Sequence, residues 1–303
     1  DDKETTPFAT GNRRQLGSSV SGGNEAMRYY ISAESEHELG LVKMPDREVA
    51  YLKTERGTND IPYEQRRPNQ LDKFSGRVNL SSSPTTQLAL NVSVGYVHND
   101  IRLPQTGDNF QGIITSPMTG SANPAVFATT GGYGFSRPAD ALGEVTWRRN
   151  RHYTTSGTAT WQPRGCLTAR SAVGLDYLAY TDEQNVLNGQ GCKTCATERQ
   201  GKRQLLRWTQ SKYSADFNGT ANVRATQRIG SKTSLGTQFN FDDLFGVSST
   251  ADILPPGSLT LTAGAQKTLT EQTNQVKTIG QYLEQQFSLD DRLFVTGAMR
   301  VDA

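Results

Sequence analysis

The stretch Leu88-Ala89-Leu90-Asn91-Val92-Ser93-Val94-Gly95-Tyr96 alternates without a break. Its even positions, Leu88, Leu90, Val92, Val94 and Tyr96, are apolar, and the odd positions between them are small or polar. Side chains change face at every residue of a strand, so this is a strand with one apolar face. Upstream, Phe74, Gly76, Val78 and Leu80 alternate with Ser75, Arg77 and Asn79, and the residues between, Ser81 to Thr86, have turn composition. The pair reads as a hairpin.

The unit recurs downstream. Tyr153, Thr155, Gly157, Ala159 and Trp161 share one parity, Pro163-Arg164-Gly165 turns the chain, and Leu167 to Tyr177 runs back on one parity. A third hairpin has Tyr213 to Val223, a turn near Ile229-Gly230-Ser231, then Leu235 to Phe241. In a fourth, a weakly alternating strand from Thr278 to Phe287 meets the turn Ser288 to Asp291, followed by Leu293 to Val301. With an isolated strand at Arg28 to Glu38, the expectation is about nine strands. Short turns alternate with long segments at Leu39 to Gln70, Asn99 to Gly143, Thr181 to Leu206 and Asp242 to Asn274, all above the usual hairpin loop of about 2 to 5 residues. A membrane β-barrel has a physical reason for this asymmetry, because its turns stay short on one side of the bilayer while its loops grow into solvent on the other. A soluble β-sandwich is the alternative, but its strands average about 5 to 6 residues and several here extend for about ten or more.

Composition narrows the class. The 303 residues carry 32 basic and 30 acidic side chains, without the basic excess that nucleic-acid binding calls for. Mean hydropathy is -0.60, and the longest apolar runs are about four residues, where a spanning helix needs about 20. A barrel escapes both objections, since its apolar face is hidden in alternation. Arg77, Arg170, Asp176, Asp216, Arg224 and Arg300 all fall on the parity opposite the apolar residues. On the lipid face, a midplane Arg would cost about 2 to 4 kcal/mol. Tyr96, Trp161, Tyr177, Tyr213 and Tyr282 are expected near strand ends, at a headgroup boundary.

Three segments carry a likeness: Arg28 to Glu34, Leu90 to Tyr96, and Tyr282-Leu283-Glu284-Gln285-Gln286-Phe287 leading into Asp291 to Asp302. They resemble the barrel of TonB-dependent outer-membrane receptors, in particular the SusC/RagA class. The resemblance implies an antiparallel transmembrane β-barrel in the bacterial outer membrane, in contact with outer-membrane lipid. It further implies active import of an oligosaccharide, peptide or metal chelate, energy from the TonB complex, and a SusD-like surface lipoprotein as partner. Members carry a plug domain inside a larger barrel. Residues 1–303 show neither plug nor TonB-contacting motif and read as a partial barrel domain, an internal piece. A passive structural or adhesin-like barrel is the rival reading.

Candidate chemistry is sparse, and neither catalytic residues nor a cofactor or metal site is expected. Cys192-Lys193-Thr194-Cys195 lacks the further ligands of a zinc site, since Cys166 falls on the opposite, short-turn side; a local disulfide, free thiols and a metal site are the three readings, of which the disulfide is expected. His98 stands where a loop begins, but no G-x-S-x-G or ordered partner accompanies it. Asp108, Asp242-Asp243 and Asp290-Asp291 lack EF-hand spacing and read as solvated turn acids. In the loop Leu103 to Arg137, Phe110, Phe127, Tyr133 and Phe135 alternate with Gly, Ser, Pro and Thr. Exposed rings with small polar neighbours suit sugar or peptide capture. A loop folded on its own rings is the other reading.

Overall fold

A computed structural model of the chain describes residues 4–104, 110–121, 123–193 and 195–303. Ten antiparallel strands form one sheet in chain order: β1 (Asn12–Gly23), β2 (Met27–Leu39), β3 (Gln70–Thr85), β4 (Leu88–Leu103), β5 (Glu144–Arg164), β6 (Leu167–Val186), β7 (Lys202–Arg224), β8 (Ile229–Asp252), β9 (Gln266–Leu289) and β10 (Leu293–Asp302). Each strand pairs with the next, and β1 and β10 are not partners of each other, so the sheet is open. The longest strands reach 24 residues. No helix of the described residues is long and apolar enough to cross a membrane.

The tenth strand is β1, which the alternation pattern missed. Its sequence, Asn-Arg-Arg-Gln-Leu-Gly-Ser-Ser-Val-Ser-Gly-Gly, has too few apolar residues to show a period, and every residue is exposed. Its place is set by the ladder Asn12↔Leu39 to Gly23↔Arg28. Two long connections are also shorter than expected. Thr181 to Val186 pairs with Lys202 to Arg207, and Asp243 to Asp252 pairs with Gln266 to Gln275. Thr181 to Gln184 is polar on both parities, and Asp243 to Asp252 mixes Leu244, Phe245 and Val247 with Asp, Ser and Thr on both, so the hydropathy period fades while the backbone ladder continues. What is left between strands is residues 187–201 and 253–265.

The other rim has tight turns. Asp290 and Asp291, with φ of 53° and 52°, form the left-handed corner of the three-residue connection, Asp290 to Arg292, between the paired Leu289 and Leu293, a backbone that Asp tolerates. The expected turn at Ser81 to Thr86 is mostly strand. Register shifts between Ser82 and Thr85 and between Trp161 and Arg164 coincide with Pro84 and Pro163, each of which removes a ladder donor.

Register fixes the two faces. One row runs Leu88↔Trp161↔Ala169↔Gly219↔Leu235↔Leu283, another Val92↔Gly157↔Val173↔Ala215↔Phe239↔Ile279, and a third Tyr96↔Tyr153↔Tyr177. On this outer face of β3 to β8, between the Phe74, Tyr96, Tyr153, Tyr177, Tyr213 and Phe241 level and the short-turn rim, no Asp, Glu, Lys or Arg occurs. Tyr153 to Trp161 spans about 26 Å along the strand, about 20 Å after barrel tilt, near the roughly 25 Å apolar band of an outer-membrane barrel. The inner face is charged and paired: His152 lies 3.0 Å from Asp176, and Lys212 lies 3.7 Å from Asp242.

Two aromatic expectations change. Tyr96, Tyr177 and Tyr213 lie well inside their strands, because the strands run past the apolar band. Tyr282 is on the inner face, opposite Gly236 and Arg300. A Cβ built on Gly236 would meet its ring at 2.5 Å, so only glycine admits the ring there.

Candidate functional site: the knitted loops

The four long connections share one rim and pack into one body. The connection between β2 and β3 carries α1 (Asp46–Arg56) and α2 (Tyr63–Arg66). Acidic Asp46 and Glu48 sit in the first turn of α1, Lys53 and Arg56 in its last, and Gly57 ends it at φ 62°, an arrangement that suits the helix dipole and a left-handed cap. The connection between β4 and β5 carries α3 (Thr115–Met118), α4 (Pro124–Thr130) and α5 (Pro138–Ala141). Val42, Met44, Leu52 and Ile61 from the first connection and Ile113, Ala139, Ala141 and Leu142 from the second form one buried cluster.

Polar bonds extend the unit to the other two connections. Gln65 Nε2 donates to Gln190 Oε1 at 2.7 Å. Lys193 pairs with Glu55 at 2.8 Å and donates to the Tyr51 hydroxyl. Asn188 Nδ2 donates to the Leu254 carbonyl at 2.7 Å. Arg137 donates Nε and Nη2 to Glu48, and its guanidinium lies 3.5 Å from the Tyr51 ring centroid. Asp140, buried beside this network, has its carboxyl pushed up to about 6, first by burial. Cys192 and Cys195 are joined as a disulfide, and Gln111 Nε2 donates to Cys195 Sγ at 2.6 Å.

Of the four candidate capture rings, Phe110 and Phe135 come together, with centroids 5.2 Å apart and both exposed. Ser116 holds that turn, accepting from the Phe135 and Ser136 amides and donating to the Ser136 carbonyl at 2.7 Å. Phe127 is exposed separately, with Arg47 5.7 Å from its centroid, and Tyr133 is half-buried. The loop core is thus aliphatic, and three of the four rings stay at its surface. Asp108 lies outside the described residues. His98 lies 3.7 Å from Asp100 on the outer face, and Asp290 is held by Arg228 at 2.6 Å. No group of three His, Cys, Asp or Glu side chains among the described residues could hold a metal ion. Sequence reasoning missed the Glu48–Arg137 and Glu55–Lys193 pairs, whose partners are far apart in the chain and follow no spacing rule.

No protein-family model and no curated protein matches the sequence. Solved structures do. The chain is similar to the RagAB peptide transporter, with a TM-score of 0.68 and 13% identity over 96% of this chain and 32% of that one. It is also similar to the RagAB peptide importer in its open-open state, with a TM-score of 0.71 and 13% identity over 97% of this chain and 32% of that one. The fold is that of part of the β-barrel wall in these structures. The chain spans about a third of the length of these structures, consistent with the two unpaired edges of its sheet.

Proposed function

We propose that residues 1–303 are part of the barrel of an outer-membrane active-transport receptor of the SusC/RagA class, importing a peptide, oligosaccharide or metal chelate. In this reading the knitted loops lie outside the cell, Phe110, Phe127, Tyr133 and Phe135 contribute to capture, and the polar inner face lines the path. TonB would supply the energy, and a SusD-like lipoprotein would share the capture. The protein acts as a carrier and not as an enzyme. The observation that carries the reading is the charge-free outer band of β3 to β8 set against a charged, ion-paired inner face, within a wall of ten strands. A passive barrel needs the same band but gives no reason for so large a bonded loop assembly over the wall.

Single cysteines test it in the full-length protein. Val92→Cys and Val173→Cys should resist a water-soluble thiol reagent in intact membranes, while Ser93→Cys and Arg170→Cys should react. Equal labelling on both faces would sink the barrel reading. Uptake that survives removal of TonB would sink active transport.

A further inference from the structure

The outer face of β5 to β7 changes character one residue pair above Tyr153 and Tyr177. Four arginines stand there, Arg149 and Arg151 on β5 and Arg203 and Arg207 on β7, against one carboxylate on these three strands, Glu183 of β6. Glu183 is already engaged, 2.7 Å from Arg149 and 3.5 Å from Arg203, and Arg149 is also 3.8 Å from Asp100. On β8, Asp243 pairs in register with Ser211 and accepts from Gln275 at 2.8 Å. Arg151 and Arg207 are exposed and make no ion pair among the described residues.

Their placement is specific. Arg151 opposes Ala179 and Arg207 opposes Thr181, so the two arginines flank β6 two residues apart in register. The residues between them on β6 are Ala179 and Thr181, whose side chains are short. Directly below, Tyr153 and Tyr177 begin the lipid-facing band. A guanidinium pair is a bidentate match for phosphate oxygens, and here it borders a surface that contacts acyl chains.

We propose that Arg151 and Arg207 form a docking site for the phosphorylated headgroup of an anionic outer-leaflet lipid, whose acyl chains lie along Tyr153, Tyr177 and Val173. The continuity of the cationic pair with the apolar band selects an amphiphile: a soluble anion would satisfy the arginines and leave the band below unused. This inference rests on the membrane-barrel reading and adds the lipid chemistry at its rim.

The test uses the full-length barrel in detergent micelles, with diphosphorylated lipid A and its phosphate-free counterpart as probes and native mass spectrometry as readout. Wild-type protein should retain the phosphorylated probe and not the phosphate-free one. Arg151→Gln with Arg207→Gln should weaken retention about thirtyfold, taking the gain per surface arginine near an anionic lipid. Arg77→Gln, an inner-face change of the same type, should leave retention unchanged. Equal retention by the double variant and wild type, equal retention of both probes, or complete displacement by millimolar inorganic phosphate would each overturn the site. Heat-modifiable migration separates the two ideas. If the wild-type barrel does not form, the membrane reading fails; if it forms and the double variant still holds the lipid, only the lipid site fails.

Discussion

Arg137 donates Nε and Nη2 to the two carboxylate oxygens of Glu48, each at 3.0 Å, so the residue that opens α5 in the β4–β5 connection clasps α1 in the β2–β3 connection. Glu48 is 1% exposed and Arg137 12%. Two unrelated connections are thereby joined by a charge pair that water barely reaches.

Breaking one half of such a pair leaves an uncompensated buried charge, at a cost of about 3–5 kcal/mol. Glu48→Ala should therefore loosen the loops while leaving the wall intact. Hydrogen exchange of the α1 amides should speed up strongly, with heat-modifiable migration of the full-length barrel unchanged. Replacing both partners with Met should recover part of the loss. Unaltered protection in Glu48→Ala would show that the aliphatic cluster alone holds the loops.

Asp140 gives the loop body a pH dependence. Its carboxyl is raised to about 6, chiefly by burial, with Lys193 opposing and Glu55 reinforcing the shift. An acid raised on folding binds more protons folded than unfolded, so stability grows as pH falls. The penalty is full above about 6, shrinks as pH falls through that value, and is gone below the ordinary carboxylate range. Asp140→Asn should stabilise the loops by at most about 3 kcal/mol at pH 8 and by little at pH 4. Pulse proteolysis of the β4–β5 connection at the two values measures this. An equal gain at both would remove the carboxyl as the cause.

Most of the wall was legible in the sequence because one face of the sheet is apolar and the other polar: Val92, Val173 and Phe239 stand in one row, and alternation alone marks each of them. Legibility stopped where the apolar band stops. Beyond Tyr177, Thr181 to Gln184 is polar on both parities, so this stretch carries no period even though it is paired strand, and β1 with its Ser and Gly residues shows none. The loop body was less legible still. Its core uses Met44, Leu52, Ile113 and Leu142, which belong to two segments with little regular structure, and Glu48 finds Arg137 only because the sheet brings two connections side by side. The rings of the Leu103 to Arg137 loop were visible by composition, but their exposure depends on an aliphatic core contributed partly by another connection.

The Cys192–Cys195 bond makes a mass prediction. The peptide from Gly191 to Arg199, isolated from the mature protein without reductant, should be lighter by two hydrogens than its reduced form and resist alkylation. Cys195 also accepts from Gln111, so Cys192→Ser should increase proteolysis near residue 111 as well as near 195. Two alkylatable thiols in the untreated protein would refute the bond.

The outer band predicts where charge is tolerated. Val173 pairs in register with Gly157 and Ala215 near the middle of the band, whereas Ser156 and Ser214 lie one residue away on the inner face, paired with Gly174. Val173→Arg should lower the folded fraction of the full-length barrel in liposomes by an amount equivalent to about 2–4 kcal/mol, the cost of an arginine at the bilayer midplane. Ser156→Arg should be nearly neutral, because its head would sit in the hydrated interior. Lys277 shows how the rule relaxes at the edge. It stands on the outer parity of β9 at the top of the band, with its ammonium 5.0 Å from the Phe241 ring centroid, where a long stem can lie on the band while its head reaches water. Lys277→Arg should therefore be silent, and moving the charge two residues deeper, with Ile279→Lys, should cost stability. If Val173→Arg and Ser156→Arg fold equally well, the outer face does not meet lipid, and the wall must be covered by protein instead.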